Sequence, residues 1–174
     1  MFIIIIIIIR KSATVMAKLN KRVWQNIHLT MNTRLKVNQA YVTSILLCES
    51  ETWTPSARQE AKLNTFHLRC LRQILGITWQ DRIINTTVLE KAKCSSIYAI
   101  FNQRRLRWLG HIYRMGKGRI PEDLLYVELE KGTRKTGCSL VRFKDICIRD
   151  MKSAAIEIKS WGSPSKIAPH GGIL

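Results

Sequence analysis

The sequence predicts a mainly α protein: a small bundle of amphipathic helices with a low-complexity stretch before it and an irregular tail after it. Three observations carry that prediction. Apolar residues recur at i, i+3, i+4 and i+7 through the middle of the chain. Capping residues stand at the ends of those periodic runs. After Ser160 the chain turns rich in Pro, Gly and Ser and the period stops. A length of 174 residues is enough for one ordinary domain.

The chain opens MFIIIIIIIRK. A spanning helix needs about 20 apolar residues, and a signal peptide wants basic charge ahead of its apolar run, so this segment meets neither requirement. A run of isoleucines has high β-propensity and reads as an aggregation hazard, and residues 1–16 are expected to lie outside the fold. Residues 17–115 are expected to form the helical domain. Asn32 can cap a helix through Leu35, Val42, Ile45 and Leu46 that ends near 49–53. Thr54 followed by Pro55 at the first helical position, with Gly76 placed for a left-handed C-cap, predicts a helix over 55–75. On that helix Leu63, Leu68, Cys70, Leu71, Ile74 and Leu75 share one arc, and Arg58, Lys62, Arg69 and Arg72 share the opposite one.

Thr87 and Glu90 resemble a capping box opening a short helix. Ser96 can cap a long helix over 97–115, with Ile97, Phe101, Trp108, Ile112 and Met115 on one side and Arg104, Arg107, His111 and Arg114 on the other. Arg105 breaks this scheme by pointing toward the aromatic side, where stacking on Trp108 or Tyr98, or a phosphate contact, would account for it. Residues 116–160 are expected to hold a glycine-bounded basic loop, with Lys131, Arg134 and Lys135, and a helix over 141–155 with Phe143, Cys147, Met151 and Ala154 at helical spacing. The loop lacks the spacing of a P-loop. Residues 161–174 are expected to be a disordered tail.

Charge narrows the function. Lys and Arg number 29 against 12 Asp and Glu, a net charge of +17. Such an excess repels itself unless a polyanion is near, so the expected partner is RNA or DNA; stable membrane attachment would need a large amphipathic helix or a lipid as well. Two arginine rows poor in acids differ from ordinary solvated helix faces, which mix signs to gain i,i+4 pairs. Clustered cations bind a phosphate backbone without a sequence code, so binding is expected to be sequence-nonspecific. The candidate nucleic-acid-binding residues are Arg58, Lys62, Arg69, Arg72, Arg104, Arg105, Arg107, Arg114, Lys131, Arg134 and Lys135.

Five cysteines at wide, irregular spacings, without a C-x-x-C pair, fit a reduced intracellular compartment and give no zinc site. His67 falls in the middle of an apolar arc and is expected to be a satisfied core histidine rather than a ligand or base. No Asp-Asp pair occurs, and Glu122-Asp123 are adjacent residues that would point apart, so no carboxylate cluster for two-metal catalysis is expected. The four histidines lie far apart, which gives no assembled nuclease set. The chain is therefore expected to be non-catalytic and to hold no cofactor.

The blocks LKVNQAYVTSILLCESETW, KLNTFHLRCLRQILGITWQDR, NTTVLEKA, RRLRWLGHIYRM, GRIPEDLLY and GTRKTG…RFKD follow one another in that order. Together they resemble the segment downstream of the polymerase palm in non-LTR (LINE-type) retrotransposon reverse transcriptases, which are RNA-directed DNA polymerases. In that family the blocks read close to LLYGSETW, FHxRCLRxILGIxWxDR, LRWxGHVxRM and GxRxxGxPxxRxxD. The resemblance covers residues 17–160. It implies a thumb and following region that grips template and primer, with the Y-x-D-D motif and its Mg²⁺ in a palm outside this chain. Cys48-Glu49 stands where the family usually has Tyr-Gly, and Cys138 with Leu140 replaces the usual Arg-Pro after the basic loop. These departures fit a truncated or decayed copy. Two alternatives stay open: a domesticated helical module that binds another protein, and a poorly folding remnant that self-associates through uncovered apolar helix faces.

Overall fold

The structure is a computed structural model that describes residues 2–115, 120–121 and 143–153. It is mainly helical, with no strand among the described residues. The helices are α1 (Phe2–Lys18), α2 (Met31–Val37), α3 (Ser44–Leu46), α4 (Ala57–Leu75), α5 (Asn85–Ala92), α6 (Ile97–Arg114) and α7 (Phe143–Ser153). A π-helical stretch, Asn38–Thr43, carries α2 into α3, and short 3₁₀ turns at Ser50–Thr52 and Trp79–Asp81 flank α4. The chain divides into two compact units, Met1–Trp108 and Leu109–Leu174, with the boundary inside α6. No helix among the described residues is long and apolar enough to cross a membrane.

Helix α4 organises the first unit because its apolar arc is broad enough to serve three clusters. Leu63 packs with Ile5, Leu46, Leu47, Trp53, Ile97 and Phe101. Cys70 and Ile74 join Met16, Trp24 and Val42. Leu68 and Leu71 join Val88 and Ala92 of α5. Phe66, half-buried, touches the first two clusters. Leu63 and Leu71 are wholly buried, and each large apolar side chain so placed contributes about 1.5–3 kcal/mol.

Both ends of α4 are closed by local chemistry. The Ser56 backbone N–H donates to Gln59 Oε1 at 2.8 Å, half of a capping box. The helix thus begins two residues after the Thr54-Pro55 pair that the sequence favours, because Gln59 can reach back to Ser56 and nothing reaches back to Thr54 in the same way. At the other end Gly76 adopts the left-handed conformation with φ 66°, and the Ile77 N–H donates to the Arg72 carbonyl at 2.9 Å.

Other helix ends shift for similar reasons. Thr30, not Asn32, caps α2, with its hydroxyl accepting from the Thr33 N–H at 3.2 Å. Helix α5 starts at Asn85, so Thr87 lies inside it rather than at its cap. Ser96 caps α6 as its sequence predicts, its hydroxyl accepting from the Ala99 N–H at 3.2 Å. In the second unit Cys147 and Met151 of α7 are buried, in keeping with their spacing. The basic loop over 131–137, the residue Ala154 and the tail over 161–174 lie outside the described residues.

The largest departure from the sequence reading is the N-terminus. The isoleucine run is helical, and residues 1–16 belong to the first unit. Ile5, Ile8 and Ile9 pack in the first cluster, and Val15, Met16 and Leu19 in the second. Those positions, with buried Ser12 between them, repeat at i+3 and i+4, so the helical period crosses the boundary that composition had drawn at residue 16. The β-propensity of isoleucine is a preference of about 1 kcal/mol or less per residue, and burial of one face against α3, α4 and α6 outweighs it. A uniform run cannot make the other face polar, which leaves Ile3, Ile4 and Ile7 exposed.

Within the first unit, the start of the apolar stripe of α6 is buried. Ile97 and Phe101 are fully buried, and Phe101 meets Trp53 with ring centroids 6.1 Å apart. The most exposed large apolar side chains among the described residues are Trp79 and Ile27, with Ile3, Ile84 and Ile120 also largely exposed.

Truncating Ile5 to Ala should therefore lower the stability of the first unit by about 2–5 kcal/mol, and truncating Ile3 should change it by about 0.5 kcal/mol or less. Paired urea denaturation curves check this. Equal effects at the two positions would show that α1 is not part of the core.

Candidate nucleic-acid interface

Three exposed cations share one stripe of α4. Arg58, Lys62 and Arg69 are exposed, as are Thr65 and Gln73, and the spacings of 4, 3, 4 and 4 residues keep all five on one face. At 1.5 Å rise per residue the stripe runs roughly 16 Å from Arg58 to Arg69. It lies opposite Leu63, Cys70, Leu71 and Ile74, which are buried. The packing that makes the core therefore leaves this face to solvent.

Arg72 sits at the stripe's edge and is half-buried. Its guanidinium donates to the Ile83 carbonyl at 3.0 Å and to Asn85 Oδ1 at 2.9 Å, tying the last turns of α4 to the start of α5. It is a structural clamp as well as a cation.

The arginines of α6 do not form a second row of the same kind. Arg104 is partly buried and donates to the Leu47 carbonyl at 2.7 Å, one of the acceptors left over at the end of α3, while lying 3.9 Å from Glu51. Arg105 is only 1% exposed. Its Nη1 lies 3.8 Å from Glu60 Oε1, its Nη2 donates to Asn102 at 2.9 Å, and its guanidinium carbon is 5.8 Å from the Phe101 ring centroid. The sequence places Arg105 correctly on the aromatic side, where the Phe101 ring lies beside its guanidinium, and it is too deeply buried to reach a phosphate. A charge so buried survives only when paired and hydrogen-bonded, and removing either partner of such a pair costs about 3–5 kcal/mol. Arg107 is exposed in the first unit and Arg114 is exposed in the second. Lys131, Arg134 and Lys135 lie outside the described residues.

Two features of the surface beside α4 are absent from the sequence reading. One is Glu60, an acid inside the apolar arc of α4 that meets the misplaced Arg105 of α6; the opposite signs at two wrong-face positions were the available signal. The other is Trp79, 87% exposed in the turn that follows α4. Thr78 and Asp81, three residues apart, carry the capping pattern that builds this turn.

Among the described residues no group of three or more His, Cys, Asp or Glu side chains is placed to hold a metal ion. Cys48, Cys70, Cys94 and Cys147 are free thiols. Burial pushes the Cys70 thiol up to about 11, which keeps it protonated and unreactive. His67 is buried as its sequence position predicts, but Nε2 has no hydrogen-bond partner, so it is not the satisfied histidine expected. Burial lowers its pKa to about 4, leaving a neutral ring at physiological pH that is shielded from any substrate.

No family model matches the chain, and neither a curated protein nor a solved structure matches it.

His67 supplies a pH test of this packing. Its folded pKa is depressed from about 6.5 to about 4, so the unfolded chain binds the extra proton and stability falls as pH drops between those values. The loss should be on the order of 3 kcal/mol, complete below about pH 4. Denaturation midpoints from pH 7.5 to pH 4, compared with the His67→Gln variant, check it; wild type and variant with parallel profiles would contradict the buried neutral ring.

Proposed function

We propose that the chain binds RNA or DNA without sequence preference through the exposed cationic stripe of α4, and that it corresponds to the thumb and following region of a LINE-type reverse transcriptase. The observation that carries this reading is the placement of exposed Arg58, Lys62 and Arg69 together on the face of α4 opposite its three apolar clusters. A helix face that tracks a phosphate backbone needs clustered cations and a rigid support, and α4 supplies both. Arg107 and Arg114 extend the set of candidates; Arg104, Arg105 and Arg72 serve mainly to hold the helices in place.

Backbone conformation supports the resemblance at its most divergent point. Glu49 occupies the position where the family usually has glycine, and its φ is 57°. That left-handed geometry costs a residue with a Cβ about 1–2 kcal/mol and favours glycine. The site thus keeps a conformation that glycine would adopt without strain, although the residue has changed. Gly76, which matches the glycine of the ILG block, is left-handed too.

The chain itself is proposed to carry no polymerase chemistry. Two-metal phosphoryl transfer needs carboxylates held together around the ions, and the sequence contains no Asp-Asp pair. A Mg²⁺ ion would belong to a palm module. A second reading, association with a second copy or another protein through an apolar helix face, is favoured by one observation: Ile3, Ile4 and Ile7 lie exposed on one face of α1.

Full-length chain should bind both a single-stranded oligonucleotide and a duplex, with log affinity falling by about 0.7–0.9 per neutralised phosphate for each unit of log salt. Replacing Arg58, Lys62 and Arg69 together by Gln should weaken binding and reduce the salt slope by about 2–3, with no change in circular dichroism. Fluorescence anisotropy at several salt concentrations checks this. Affinity indifferent to salt, or a triple variant that binds like wild type, would sink the proposal; salt-insensitive self-association lost on changing Ile3, Ile4 and Ile7 to Ser would favour the second reading.

A further inference from the structure

Trp79 is the most exposed large apolar side chain among the described residues. The turn that holds it is not loose. The Asp81 carboxylate accepts from the Thr78 N–H at 2.6 Å and from the Thr78 hydroxyl at 2.9 Å, which closes the turn that carries Trp79. The same two bonds hold the Asp81 carboxyl below the usual carboxylate range. On the chain either side of the turn, Ile77 and Ile83 are packed into the cluster beneath α4 and α5. Arg72 spans the gap, donating to the Ile83 carbonyl and to Asn85. The Trp79 ring is thus presented to solvent by a braced loop.

Cations flank Trp79 along the chain on both sides. Arg69 and Arg72 lie on the last turns of α4, Arg72 is bonded across the base of the loop, and Arg82 is exposed with a left-handed backbone at the loop's far end. The one acid in the loop, Asp81, is engaged by Thr78. An exposed indole on a braced turn, with arginines before and after it in the chain, matches one class of ligand. Unpaired bases stack on aromatic faces whatever their identity, while the neighbouring phosphates meet the cations. A duplex keeps its bases stacked on each other and offers such a ring nothing.

We propose that Trp79 is a base-stacking platform for single-stranded nucleic acid, placed at the C-terminal end of the cationic stripe of α4. This rests on the nucleic-acid reading above and adds to it a strand preference. Backbone contacts along Arg58, Lys62 and Arg69 serve single strand and duplex alike, and Trp79 adds affinity for the single strand alone.

The test uses full-length chain with a short oligodeoxythymidine and with a blunt DNA duplex of the same length, titrated by anisotropy and by tryptophan emission. Trp79→Ala should weaken oligodeoxythymidine binding by roughly 5- to 150-fold, the range expected for one lost stacking contact, and leave duplex affinity within about twofold. Trp79→Phe should keep most of the affinity, because the ring remains, and should lose the emission quenching that oligodeoxythymidine causes in wild type. Equal losses on both ligands, or no loss on either, would overturn the stacking role while the salt-dependent binding of wild type still stood. A Trp79→Ala variant that binds oligodeoxythymidine normally but no longer self-associates would overturn it too and assign the ring to a second copy of the chain. Wild type that binds neither ligand at low salt would remove the nucleic-acid reading and this inference with it.

Discussion

Everything in the first unit depends on how α4 is packed. Leu63, the pair Cys70 and Ile74, and the pair Leu68 and Leu71 each anchor a different cluster, so α1, α3, α5 and α6 all find their place relative to this one helix. A helix buried over so broad an arc retains one narrow solvent face. Whatever side chains occupy that face are rigidly spaced, because the helix cannot rotate without exposing apolar surface worth several kcal/mol. The backbone spacing of Arg58, Lys62 and Arg69 is thus set by the core, and only their side chains remain to be ordered by a ligand.

The buried Arg105–Glu60 pair sharpens that constraint. Each residue occupies the apolar side of its own helix, and each would be costly there alone. Paired, they fix the register of α6 on α4, since a slip by one residue would separate two charges in a dry interior. The consequence for function is indirect: of the arginines in the RRLRW block, Arg104 and Arg105 are engaged in holding helices together, which leaves Arg107 on the surface of that unit.

Much of this was legible in the residues. The spacing of apolar positions located α4 and α6, Gly76 ended the first and Ser96 began the second, because caps and periods are local chemistry. The N-terminal helix was not legible, since an unbroken isoleucine run has no period to read, and only its partners decide which isoleucines turn inward. Helix spacing puts Arg104 in a surface row because it gives the direction of a side chain and not what lies within reach of it. Its acceptor, the Leu47 carbonyl, is a backbone group far away in the sequence. The exposure of Trp79 is not legible for the complementary reason: it lies in a turn, outside any periodic run, where exposure depends on how Thr78 and Asp81 close the loop.

The central claim is that the solvent face of α4 is where a polyanion lies. Ultraviolet crosslinking of full-length chain to a single-stranded RNA, with the attachment sites mapped by mass spectrometry, tests that claim directly. Crosslinks concentrated in the peptides from Ala57 through Arg82 are the expected result. A map confined to α1 or to α7, with α4 unmarked, would contradict it.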